Sequence, residues 1–488
     1  MSLTLYWHDY ESWGADPRRD KPAQFAGLRT DQDLSPIGEP LMLYCRPPED
    51  SLPHPEACLV TGILPTRARD EGLVEALFMA RIHDQLGRAE TCSVGYNSIR
   101  FDDELTRYGL YRNFFDPYAR EWQNGSSRWD IIDLVRMTRA LRPEGIQWPE
   151  HEDGTPSYRL EDLTAANGIE HAGAHDALAD VRATIELARR VKSQQPRLYD
   201  WLFRLRDRRR VAELLDLRRM TPVLHVSSMF RAEYGCLAMV APIAPHPSNR
   251  NGIVVYDLRY DPGPLMRLDA EAIRERLFTP KADLPEGMER IPLKTVHLNK
   301  CPALAPMSTL TDEAASRWSI DVKASLRRLD RLKAAKGLSA KIQQVFSPVE
   351  YEPTQDPEQA LYGGFFGDAD RARIARVRTV PPERLAGLDM DFEDERLLEL
   401  FFRYRARNFP QTLDPDEQAR WRAFCRRRLT DPEAGAGLTL RGFREELQQA
   451  RERSDLDPAK RGLLDELEDY ASGLARSLGL TQEQGSVH

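Results

Sequence analysis

Five residues near the start, Trp7-His8-Asp9-Tyr10-Glu11, constrain the fold more than any other string in the chain. They close a β-type run over residues 3–10, and on a strand residues two apart share a face. Asp9 and Glu11 therefore project side by side. Adjacent carboxylates repel unless something positive lies between them, and a hard divalent cation with oxygen ligands suits that position. A solvated strand edge carries such a pair equally well, so the reading depends on acids elsewhere.

Two further strings supply them. Gly95-Tyr96-Asn97-Ser98-Ile99-Arg100-Phe101-Asp102 ends an apolar strand at 92–96 and sets Asp102 at the start of a helical run. His175-Asp176-Ala177-Leu178-Ala179-Asp180 sets a histidine five residues before an acid at the head of a helix over 180–191. Asp9, Glu11, Asp102, His175 and Asp180 thus fall in order across one α/β pattern. Such a set can hold two Mg²⁺ ions about 3.5–4 Å apart and supply a general base for in-line attack of water on a phosphodiester. Histidine, with an ordinary pKa of ~6.5, suits that proton transfer near neutral pH. Asp103 and Asp176 lie one position along, so they are expected to point elsewhere as solvated or pairing charges.

The 488 residues allow two to four domains at roughly 100–200 residues each. A hydrophobic content of 41 % with 30 % charged residues fits a globular protein and excludes a disordered one. No run approaches the ~18 consecutive apolar residues of a membrane span, and two acids interrupt the N-terminal run, so it is not expected to be a signal peptide. Six scattered cysteines form no metal-site or disulfide pattern and read as reduced, buried thiols in a cytoplasm. The net charge of −8 argues against a chain coated in positive charge, though local basic tracks still allow nucleic acid. Three regions separate by pattern: an α/β region over 1–195, a region over 196–349 and a helical region over 350–480. The middle region has short β-runs between helical stretches at 199–220 and 312–346, suggesting a small barrel or sandwich. The run SPVEYEPTQDPEQ reads as a linker. Asp414-Pro415-Asp416-Glu417 reads as a helix cap, an N1 proline and first-turn acids, and 481–488 as a flexible tail.

The strings Asp9-x-Glu11, Asn97-x-x-x-Phe101-Asp102 and His175-x-x-x-x-Asp180 resemble the three exonuclease motifs of the DEDDh superfamily. Longer strings, among them HDYESWG, PAQFAGLRTD, GYNSIRFDDE, YRNFFDPY, ALRPEGIQWPE, TAANGIEH, AHDALADV, HLNKCP and RYRARNFP, resemble its bacterial exodeoxyribonuclease I branch from about residue 5 to 470. The likeness loosens at 432–438 and beyond 478. It implies an α/β nuclease domain of ribonuclease H-like type, a small SH3-like β-barrel domain with flanking helices, and a C-terminal all-helical domain, C-shaped overall. It implies a processive 3′→5′ exonuclease that hydrolyses single-stranded DNA to 5′-mononucleotides in DNA repair and recombination. Asp9, Glu11, Asp102 and Asp180 would be the ligands of two Mg²⁺ ions, with Mn²⁺ an alternative, and His175 the base. Glu11 and Arg159 would meet the terminal nucleotide. Arg107, Tyr118, Trp122, Arg136, Arg142, Arg208, Asn251 and Lys300 match DNA-contact positions. Single strands are gripped by basic tracks with aromatic platforms, though core aromatics and solvated arginines account for such residues too. The cluster Arg204, Arg206, Arg208, Arg209 and Arg210 reads as a phosphate contact or a solvated helix face. The family also implies a partner, the acidic C-terminal tail of the single-stranded-DNA-binding protein, for which Arg142 and Trp201 are the candidates, and a monomer.

Two other readings compete. An RNA-trimming member of the superfamily would use the same acids, since contacts to the 2′-hydroxyl decide that choice. A non-catalytic strand-binding protein would have lost a ligand, and none of the five is lost here.

Overall fold

The computed structural model describes residues 2–171, 173, 176–348, 354–388 and 390–480. The chain packs as two compact units, one from the described residues of 1–127, 172–182 and 352–488, the other from 128–171 and 183–351. His175 and the tail 481–488 lie outside the described residues.

In the first unit, four strands run in the order β3-β2-β1-β4: β1 (Thr4–Ser12), β2 (Pro22–Thr30), β3 (Leu41–Tyr44) and β4 (Thr91–Gly95). β2 is antiparallel to both β1 and β3, and β4 is parallel to β1. Helices α1 (Pro55–Thr61), α2 (Pro65–Glu71), α3 (Glu75–Leu86) and α4 (Asp102–Arg112) follow these strands. Tyr6, Tyr10 and Phe25 from the sheet close a core with Phe78, Met79 and Ile82 of α3 and with Leu105 and Leu110 of α4. Burying each such side chain contributes roughly 1.5–3 kcal/mol. A Cβ on Gly109 would lie 2.7 Å from the Met79 sulfur, so α3 and α4 approach closely only because that position is glycine.

The C-terminal helices Glu395–Asn408, Pro415–Thr430, Leu440–Arg451 and Pro458–Ser477 belong to this unit. Phe402, Trp421 and Leu464 share a core with Trp13 and with Cys58 of α1. The expected cap forms as a capping box: the Asp414 carboxylate accepts from the Glu417 N–H at 2.8 Å, and the Glu417 carboxylate accepts from the Asp414 N–H at 3.1 Å. The expected linker differs from its reading. Asp356 caps a short 3₁₀ turn, Pro357–Gln359, and Glu358 is buried with its carboxylate paired to Lys21 and Arg407. Arg407 also grips Asp50 at 2.7 Å, while Asp356 pairs with Arg403 and Arg428. Charge, rather than apolar packing, ties this part of the run down.

β5 (Ser127–Asp130) leads into the second unit, where α5 (Ile132–Leu141) and α6 (Leu160–Ala166) follow. α7 (Ala177–Gln194) starts in the first unit and continues into the second. Five antiparallel strands then form a sheet in the order β10-β6-β7-β8-β9: β6 (Val223–Val226), β7 (Leu237–Pro245), β8 (Gly252–Asp257), β9 (Leu293–His297) and β10 (Ala303–Pro306). The sheet is open, with β10 and β9 at its edges, so the strands do not close into the expected barrel among the described residues. The helical stretch expected over 199–220 breaks where the Asp207 carboxylate caps a new helix at Arg208, and that over 312–346 breaks at the Asp321 cap and at Gly337, whose φ is +72°. All six cysteines are buried, and none of them is joined in a disulfide. No described helix is long and apolar enough to cross a membrane.

Candidate active site

Three of the expected acids meet. Asp9 and Glu11 on β1 and Asp180 in the first turn of α7 each bring a carboxylate oxygen to within 4.8 Å of the others. The period-two geometry of β1 puts the first two on one face. The third arrives because Asp176 caps α7: its Oδ1 accepts from the backbone N–H groups of Leu178 and Ala179, each at 3.2 Å.

Asp102 lies outside that group of three and acts on Asp9 and Glu11 through its charge. A Cβ on Gly95 would lie 2.6 Å from Cβ of Ser98 and 3.2 Å from the His8 carbonyl, so only glycine ends β4 this tightly. Asn97 then turns the chain in the left-handed region at φ +58°, and α4 begins at Asp102. The Asp102 Oδ1 accepts from the Tyr10 N–H at 3.1 Å, and Thr106 bridges the Tyr10 hydroxyl at 3.1 Å and the Asp102 carbonyl at 2.8 Å. Asp103 turns away into a buried pair with Arg120 at 2.6 Å, as a pairing charge.

The electrostatics record the crowding. Burial, followed by the charges of Asp180, Asp102 and Asp176, pushes the Glu11 carboxyl up to about 9. Burial, then Asp102, Glu11, Asp180 and Asp176, holds Asp9 well above the usual carboxylate range. Each charged neighbour that raises these two is another carboxylate. An all-oxygen, acid-only donor set with this much mutual repulsion fits hard divalent cations, whose charge would return both groups to their ionised form. The base expected at His175 lies outside the described residues.

The expected nucleic-acid contacts fall into different surroundings. In the first unit Arg107 is buried, with its guanidinium bidentate on Glu121 at 2.7 and 2.8 Å and its Nη1 on Glu104 and on the Tyr362 hydroxyl at 3.0 Å. It lies 5.5 Å from the ring centre of Tyr118, which is half-buried. A residue expected to face phosphate is thus committed to two carboxylates within the protein. Trp122 is 67 % exposed. In the second unit Arg136 pairs with Asp133 at 2.7 Å beside the Tyr158 ring, and Arg142 bonds the Leu141 carbonyl. The Arg159 side chain is 66 % exposed beside Glu161. Arg208 and Lys300 are exposed and Asn251 is half-buried, while Trp201 donates its indole N–H to the Leu304 carbonyl at 2.8 Å.

The sequence pattern missed two features. Gln24 on β2 is buried against the start of α7; one amide in a β-run carries no signal of its own. Tyr362 and Phe365 are 58 % and 86 % exposed, with Phe365 edge-on to Tyr118 at 6.0 Å and the Tyr362 hydroxyl bonded to Glu104 of α4. The aromatic and glycine run Tyr362-Gly363-Gly364-Phe365-Phe366-Gly367 was the available signal.

Comparison with known proteins agrees along the chain. An exonuclease family model matches residues 6–188, an Exonuclease I SH3-like domain 206–348 and an Exonuclease I C-terminal domain 355–474. The exodeoxyribonuclease I of Escherichia coli K12 is 48 % identical over 469 residues, covering 96 % of this chain and 97 % of its own. That of Haemophilus influenzae is 46 % identical over 88 % of this chain and 91 % of its own. Among solved structures, a moderately thermophilic Exonuclease I from Methylocaldum szegediense superposes with a TM-score of 0.93 at 54 % identity, covering 97 % of this chain and 99 % of its own. E. coli Exonuclease I in complex with a dA16 oligonucleotide gives 0.93 at 47 %, covering 97 % and 100 %, and a zinc-bound form of its complex with single-stranded DNA gives 0.92 at 47 %, with the same coverage. With relatives matched over almost its whole length and acids of the exonuclease motifs meeting on β1 and α7, this chain belongs to the exodeoxyribonuclease I family, hydrolases of the nuclease class.

Proposed function

We propose that this chain removes 5′-mononucleotides processively from the 3′ end of single-stranded DNA, using two Mg²⁺ ions held by Asp9, Glu11, Asp102 and Asp180. The observation that carries this reading is the meeting of three carboxylate oxygens within 4.8 Å on β1 and α7. Divalent ions bound there would supply positive charge for the attacking water and for the leaving 3′ oxygen. His175 takes the proton from that water, and Glu11 and Arg159 meet the terminal nucleotide.

Farther along the strand, Trp122 and Tyr118 offer ring faces, and Arg136, Arg142, Arg208, Asn251 and Lys300 serve phosphates or bases. Arg107 enters as the residue that steadies Tyr118, because its own charge is satisfied by Glu121 and Glu104. Arg142 and Trp201 are proposed to receive the acidic tail of the single-stranded-DNA-binding protein, with the enzyme acting as a cytoplasmic monomer in repair and recombination. Degradation of 5′-labelled oligonucleotides with Mg²⁺ tests the proposal. Stepwise shortening of single-stranded DNA, absent with Asp180→Ala and slow on blunt duplex, is the expected result. Preference for RNA would overturn the substrate, and no metal-dependent cleavage would overturn the enzyme.

A further inference from the structure

We infer that Gln24 is a positioning residue that sets the separation between the acids of β1 and Asp180. The inference rests on the metal site proposed above and goes beyond its ligands. Gln24 stands directly opposite Glu11 in the β1–β2 register, so the two side chains share a face of the sheet. It is 1 % exposed, on a strand that is buried at all nine positions. Both ends of its amide are spent on the first turn of α7. Oε1 accepts from the Ala177 N–H at 3.1 Å, and Nε2 donates to the Asp176 carboxylate at 3.3 Å.

Chemistry fixes this orientation: a backbone N–H only donates and a carboxylate only accepts, so one amide rotamer serves both. Asp180 follows Ala177 by three residues, about 4.5 Å along the helix axis, and its own N–H bonds the Asp176 carbonyl at 3.1 Å. The helix turn that carries one ligand is therefore pinned to the strand beside the one that carries two others. An apolar side chain would fill the same space on β2 without holding α7 in register.

The test is Mn²⁺ binding to the full-length protein, read by calorimetry and by the resonance of free Mn²⁺, beside kcat and KM on a single-stranded oligonucleotide. Gln24→Met removes both bonds at constant bulk. Gln24→Glu opposes two carboxylates, and Asp176→Asn opposes two amide donors while keeping the cap acceptor. The double variant Gln24→Glu with Asp176→Asn restores every bond, because the carboxylate at 24 accepts from both the amide at 176 and the Ala177 N–H. Each single change should weaken Mn²⁺ binding 10–100-fold, the range for residues that orient metal ligands, and lower kcat in the same order with KM near native. The double variant should recover most of the loss. Native affinity in Gln24→Met, or a double variant as weak as the singles, would overturn the inference. Should Gln24→Met fail to fold, the rescue pair decides alone. No Mn²⁺ binding by the native protein would instead overturn the metal site itself, and the inference with it.

Discussion

Replacing Glu358 by Gln should cost about 3–5 kcal/mol, the range for removing one partner of a buried ion pair. The Lys21 ammonium sits 3.4 Å from Glu358 Oε2, and the two side chains are 2 % and 3 % exposed. Burial, then the positive charge of Arg112, already lowers Lys21 to about 8, against the pull of Glu358. Without Glu358 the ammonium is left beside Arg112 and Arg407, whereas Arg407 keeps its two bonds to Asp50. The cost therefore concentrates on Lys21, and Lys21→Met in the same chain should recover about half of it. The pH dependence gives a second signature. Between about 8 and 10.5 the unfolded chain holds the Lys21 proton and the folded chain does not. This group therefore makes native stability rise with pH there, by up to ~1.4 kcal/mol per pH unit. Loss of Glu358 drops the folded pKa further and opens that window below 8, so the deficit of Glu358→Gln should be larger at pH 6.5 than at pH 9. Urea unfolding followed by tryptophan fluorescence at both pH values measures it. A loss under about 1 kcal/mol, a deficit equal at the two pH values, or a double variant no more stable than Glu358→Gln would refute the argument that charge anchors residues 354–360.

Asp180→Ala should abolish turnover by at least about 10³-fold while leaving strand binding measurable by fluorescence anisotropy, since an effect of that size marks lost charge stabilisation at the reacting atoms. The raised carboxyl of Glu11 links pH to metal: its protonated folded form is favoured below the ordinary value of 4.5, and that advantage is lost as pH rises toward about 9. Thermal unfolding in chelator should accordingly show falling stability from pH 5 to pH 8.5, and added Mg²⁺ should raise the midpoint more at pH 8 than at pH 5.5; equal shifts would remove the case for crowding. Trp122→Ala and Phe365→Ala should each raise KM for single-stranded DNA about tenfold with kcat little changed, because stacking on an aromatic is worth ~1–3 kcal/mol per base.

What the sequence made legible, and what it hid, follows from the distance over which each residue finds its partner. Asp9 and Glu11 share a face because a strand has period two, so their pairing is visible over three residues. Asp102 and Asp180 each head a helix, and spacing in the matched motifs located both. The Asp414 cap was readable because its partner Glu417 stands three residues on. Gln24 was not readable, because its role depends on the register that puts it opposite Glu11 and on bonds to residues 152 and 153 positions away. Arg107 looks the same in sequence whether it faces phosphate or a carboxylate, and only the fold brings Glu121 against it. The proline-rich run read as a linker for the same reason: Glu358 is one more acid in a polar string until Lys21, 337 positions earlier, closes on it. A buried charge must be paired wherever it lies, so the Lys21–Glu358 pair constrains which segments can meet, yet leaves no periodic trace. Local spacing and matched motifs therefore located the acids, while the polar pairs around them, such as Gln24 with Asp176 and Lys21 with Glu358, are long-range and visible only in three dimensions.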